Sequence, residues 1–172
     1  MFLDNPPSDA PNYERAFAQR PEAYAAWVGL NTTIKAGMDA RRYELVSIAT
    51  ARALTSSYCS LAHASVALDR ELATVDELLD PASLPDDERA IVAFAQQIAR
   101  DATSIDAAAV EALRAHGLSE QDITDVILAT TARCFFAKAL DAAGAQADAR
   151  YAALEPAALR EALTVGRPIA AA

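Results

Sequence analysis

The chain has 172 residues, 53% of them hydrophobic, with only 5 glycines and a formal net charge of -9. That length suits one domain with a substantial core, and the acidic balance argues against nucleic acid or an anionic membrane as partner, since both are bound chiefly through clustered Lys and Arg. No run of about eighteen apolar residues marks a transmembrane helix, and the opening MFLDNPPSDAPNYE lacks the basic start and apolar stretch of a signal peptide, so a cytoplasmic protein is expected.

Residues 1–12 hold Pro6, Pro7 and Pro11 among Asp, Asn and Ser and read as an irregular N-terminal arm, either disordered or lying along a neighbouring subunit. Residues 13–172 read as a single all-α domain. A short helical segment from Tyr13 ends before Pro21. Pro21 and Glu22 suit the first turn of the next helix, which carries Tyr24, Trp27, Val28 and Ile34 on much of one face and stops at Gly37. Asp39 opens a central helix that includes Glu44 and Arg52, and after a break at Thr55-Ser56-Ser57 a second helix continues to about Glu71. Residues 72–87, with Asp80-Pro81 and Leu84-Pro85, read as a connection. The following helix, 85–100, places Ile91, Phe94, Ala95 and Ile98 on one buried stripe.

Another helix opens at 104–106 and stops at Gly117. Ser119 and Asp122 form a capping box for a long helix to about Ala143, with Ile123, Val126, Ile127, Thr130, Cys134 and Ala137 on or near one face. Further helical stretches include Tyr151 and Leu154, and a last one runs from Pro156 to Gly166. The count comes to about six to eight helices, with no strand alternation.

The chemistry-bearing residues gather in 43–63, YELVSIATARALTSSYCSLAH. Cys59 and His63, four apart, share one face of a helix. If Ser or Thr hydroxyls cap that helix, Cys59 falls in its first turn, where the dipole and a charged His63 both favour thiolate. Glu44, folded back across the break, would orient the imidazole and hold its charge. Plainer readings stand beside these. Cys59 could be a small buried hydrophobe, His63 a core histidine, Glu44 a solvated residue paired with Arg41 or Arg42, and Tyr58 either a hydroxyl donor near the thiol or a packing aromatic. Cys134 suits packing; as a resolving thiol it would need its Cα within about 7 Å of that of Cys59. Two cysteines make no disulfide framework, and His63 and His116 alone make no zinc-like cluster. With no phosphate loop either, neither metal nor cofactor is expected.

Glu44, Ser56, Cys59 and His63 fall in a register similar to that of the alkylhydroperoxidase-D-like and carboxymuconolactone decarboxylase superfamily: a glutamate, twelve residues on a Cys-x-x-Cys, and four residues after its second cysteine a histidine. The resemblance runs from about Pro21 to Gly144, including Arg20-Pro21-Glu22 leading to Trp27. It implies that Glu44 and His63 form a proton relay to Cys59 and that the protein is a homo-oligomer, from dimer to hexamer. Ser56 stands where redox-active members have the first cysteine, and Tyr58 where some have a histidine, so a two-cysteine disulfide cycle at the motif is excluded. The leading expectation is a peroxidase-like oxidoreductase acting on hydroperoxides through Cys59, with Ser56 near the attacked oxygen and an external thiol as reductant. The alternatives are non-redox acid–base chemistry by Glu44 and His63 on a small organic acid or lactone, with Arg41, Arg42 or Arg133 as its cation, and a helical oligomer that has lost its chemistry.

Overall fold

The computed structural model describes residues 1–4 and 9–171, so Pro6 and Pro7 of the arm lie outside the described residues. Among these the chain is all-α. Nine α-helices follow in order: α1 Asn12–Arg15, α2 Pro21–Gly37, α3 Ala40–Ala53, α4 Ser57–Asp69, α5 Val75–Leu79, α6 Asp86–Asp101, α7 Ala107–Ala115, α8 Glu120–Ala142 and α9 Ala157–Leu163. The count exceeds the sequence expectation because 72–87 is more than a connection. Thr74 and Glu77 close a capping box there, which is enough to start the short α5.

Helix α3 is the axis of the bundle and packs against α4, α6 and α8. Every residue from 43 to 51 is buried, polar ones included. A helix enclosed on all sides shows little amphipathic contrast in its sequence, and its polar groups need internal partners; Thr50 finds one in the Val46 carbonyl, 2.7 Å away. Asp39 caps α3 by accepting from the Arg42 amide at 3.0 Å. Arg41 clamps α3 to its neighbours, reaching Glu77 at 2.7 Å and Glu88 at 2.6 Å, and Arg42 pairs with Asp122 of α8 at 2.5 Å. Neither arginine is available to Glu44.

The corner between α3 and α4 turns through Thr55, whose φ of 55° is left-handed and strained for a β-branched residue. The corner is held from outside. Gly166 donates its N–H to the Ser57 hydroxyl at 2.8 Å, and a Cβ on Gly166 would lie 2.0 Å from the Thr55 carbonyl oxygen. Gly166 therefore does not stop the last helix, which ends at Leu163; it permits a close approach of backbone to the corner that carries the motif.

On α8 the inward side carries Ile123, Val126, Thr130, Arg133 and Ala137, while Ile127 is exposed and Cys134 half-buried. Ile127 thus leaves the expected stripe, as does Val28 on α2. The start of the arm lies against this chain's own residues just past the end of α8, with the Phe2 N–H donating to the Ala143 carbonyl at 2.8 Å. No helix among the described residues is long and apolar enough to cross a membrane.

Candidate active site

Glu44, Cys59 and His63 meet at one cavity of about 320 Å³, lined by residues of α1, α2, α3, α4 and α8. Glu44 projects from α3 with 1% of its surface exposed. One carboxylate oxygen meets His63 Nδ1 at 2.5 Å and the other meets Lys35 Nζ of α2 at 3.1 Å. A carboxylate only accepts, so Nδ1 carries the imidazole proton and the Nε2 lone pair is left as the ring's base. Cys59 and His63 both lie on α4, one turn apart, as their spacing predicts.

The electrostatics differ from the sequence expectation. Burial, reinforced by the positive charge of Arg133, pushes His63 down to about 4, and the opposing pull of Glu44 does not make up for it. Burial also pushes the Cys59 thiol above its ordinary value, a shift that Arg133 and Ser56 only partly offset. Burial would raise Glu44 as well, but its bonds and charge interactions with His63 and Lys35 outweigh that and hold the carboxyl low. At neutral pH the site therefore holds carboxylate, neutral imidazole and thiol. The sequence anticipated a charged His63 beside a thiolate; desolvation of both groups reverses this.

One expected result follows. Alkylation of Cys59 by iodoacetamide in the native protein, read by peptide mapping to separate it from Cys134, should be slow at pH 7 and rise about tenfold per pH unit past pH 9. A plateau below pH 8 would mean that the site holds a thiolate after all.

Ser56 occupies the N-cap position of α4, but its hydroxyl makes no capping bond. It is fully buried and makes no well-formed hydrogen bond, yet it sits close enough to Cys59 and Asp141 to favour the ionised form of each. It is not among the cavity-lining residues. Tyr58 lines the cavity with its ring, while its hydroxyl is engaged elsewhere: it donates to Asp148 and accepts from the Tyr13 amide at 3.2 Å. Its single proton is committed, which favours the packing role over that of a donor to the thiol. Together with the Asn12 amide on Asp148 at 2.9 Å, these bonds tie α1 down over the site. Cys134 does not line the cavity, and both cysteines are free thiols.

Two cations also line the cavity. Lys35 comes from α2, nine residues before Glu44, where no helical spacing announces it. Arg133 comes from α8 with 4% exposure and donates to the Tyr43 hydroxyl at 3.0 Å, which in turn donates to Asn31 at 2.6 Å. The sequence offered it only beside Arg41 and Arg42 as a cation for an acidic substrate; its place between Thr130 and Ala137 on the buried side of α8 is the signal that could have singled it out. Trp27 and Phe136 stack with centroids 3.9 Å apart and form an aromatic wall beneath it. Among the described residues no group of three or more His, Cys, Asp or Glu side chains could hold a metal ion.

Residues 21–80 match the sequence profile of the Carboxymuconolactone decarboxylase family. No curated protein matches the chain at a significant level. Among solved structures the chain is similar to an uncharacterized peroxidase-related protein from Ralstonia eutropha JMP134, described as an alkylhydroperoxidase AhpD core, at 22% identity and a TM-score of 0.75 over 83% of this chain and 79% of that one. A peroxidase-related protein from Silicibacter sp. TM1040 is similar at 22% identity and a TM-score of 0.73, with the same coverage of 83% and 79%. The debrominase Bmp8, solved as a cysteine-to-alanine variant with 2,3,4-tribromopyrrole, is similar at 19% identity and a TM-score of 0.70 over 89% of this chain and 81% of that one. The family profile spans the segment that carries Glu44, Cys59 and His63, and the chain shares its all-α fold with these solved structures.

Proposed function

We propose that this protein is a thiol-dependent, peroxidase-like oxidoreductase that reduces hydroperoxides at Cys59. The observation that carries the reading is the shared cavity: a thiol and an imidazole one helical turn apart, the imidazole held in one tautomer by a buried carboxylate. His63 Nε2 takes the Cys59 proton, directly or through a water, as substrate enters. The sulfur attacks the outer peroxide oxygen, the O–O bond breaks, and the departing alkoxide takes the proton and leaves as the alcohol. The sulfur, oxidised by two electrons, keeps the hydroxyl as a sulfenic acid. An external thiol condenses with it, releasing water and forming a mixed disulfide, and a second thiol equivalent restores Cys59. Arg133, beside the sulfur, stabilises the negative charge that develops.

The reading is tested by intact-mass analysis of the native protein after one equivalent of an organic hydroperoxide in the presence of a sulfenic-acid trap. Wild type should gain one trap adduct, located at Cys59, and Cys59→Ser should gain none. An inert Cys59, or an adduct at Cys134 alone, would rule the peroxidase reading out. The presence of Lys35 and Arg133 in the cavity also supports a second reading, acid–base chemistry by Glu44 and His63 on a small carboxylated substrate. A fold-mate that is a debrominase supports a wider range of substrates for the thiol chemistry. A cavity of this size beside Cys59 speaks against a merely structural protein.

A further inference from the structure

We infer that the cavity takes a small aromatic carboxylate, anchored on Arg133 and stacked along the Trp27–Phe136 wall. The inference rests on the reading of this cavity as the substrate site and adds the chemical class that it selects. Arg133 is buried to 4% exposure and makes no ion pair among the described residues, and its Nε has no hydrogen-bond partner. The groups it meets, the Tyr43 hydroxyl and the Cys59 thiol, are both neutral. The contrast with Arg41, which bridges two carboxylates, is plain. A desolvated guanidinium is costly unless an anion meets it, and a bidentate carboxylate is the anion that its planar fork fits best.

The other charges of the cavity do not supply that anion. Lys35 and Glu44 neutralise each other at 3.1 Å. His63 is neutral and Cys59 is a thiol at pH 7, because burial disfavours the charged form of each. One positive charge is left over in a chain whose net charge is -9. The guanidinium carbon lies 5.7 Å from the centroids of both Trp27 and Phe136, so an anion held there meets the flat aromatic wall with its apolar part. A volume of about 320 Å³ admits a single substituted ring.

The test is calorimetric titration of the full chain at pH 7 with benzoate and with benzamide, its neutral isostere. Trp27, the only tryptophan, gives a fluorescence reading of the same event. Benzoate should bind at least about tenfold more tightly than benzamide. The preference should vanish in Arg133→Met and survive in part in Arg133→Lys, which keeps the charge and loses the fork. Equal affinity for the two probes, or no binding of either to wild type, overturns the inference whether or not the variants fold. A preference that persists undiminished in Arg133→Met also overturns it, assigning the anion to Lys35. Because the titration reads binding and not sulfur chemistry, an inert Cys59 leaves a positive result standing, and a negative one leaves the oxidation assay untouched.

Discussion

Replacing Glu44 by Gln should slow trapping of the Cys59 sulfenic acid by about a hundredfold or more, the loss expected when a positioned acid–base group is disabled. The carboxylate is 1% exposed and is the only partner of His63 Nδ1 among the described residues. A glutamine keeps the shape and offers the ring either a neutral carbonyl oxygen or a donating amide N–H. The neutral oxygen stabilises the imidazolium that forms when Nε2 takes a proton far less than a carboxylate does, and the amide N–H forces the other tautomer. Lys35, 39% exposed at its side chain, can turn to water once its partner is neutral, so the fold should tolerate the change. The measurement is the rate of adduct formation by quenched mass analysis, beside a circular dichroism melt. A rate within about threefold of wild type, with the melt unchanged, would make Glu44 a structural residue and remove the relay.

Leu61→Ala should cost roughly 2–5 kcal/mol of stability, the range for truncating a fully buried leucine whose site cannot collapse. Leu61 has no exposed surface and lies on α4 midway between Cys59 and His63, yet it is not among the cavity-lining residues. It belongs to the buried core. For a chain of this length that loss lowers the melting temperature by roughly 5–15 °C. Below the melt, Cys59 should still react at close to the wild-type rate, since the face bearing the thiol and the imidazole is intact. A thermal melt with the trapping assay at 25 °C checks both halves. A normal melt would mean that the core can repack around the truncation, and a normal melt with lost reactivity would place Leu61 in the site itself.

Much of the helical architecture was legible because caps and stripes are local. Asp39, Ser119 with Asp122, and the stripe of Ile91, Phe94, Ala95 and Ile98 behave as their spacing predicts. The misses have local causes too. α5 was hidden in a proline-containing acidic stretch, and Gly166 was taken for a helix stop when its role is set by a carbonyl more than a hundred residues away. Ile127 looked inward because a helix of this length offers apolar residues on more than one side, and which side is covered depends on what packs against it.

By itself the sequence determined the all-α class, the placing of Cys59 and His63 on one helical face, and the register that links Glu44 to them, because each depends on spacing along a single helix or across one turn. Only the tertiary structure decided what those residues are. Enclosing α3 on all sides took Glu44 out of water and gave it Lys35 and His63 in place of Arg41 and Arg42. The same enclosure discharged His63, kept the sulfur of Cys59 protonated and left Arg133 with an unpartnered Nε and no ion pair among the described residues. Protonation state and charge balance depend on desolvation and on neighbours from distant segments, and neither is written in the spacing of residues along the chain.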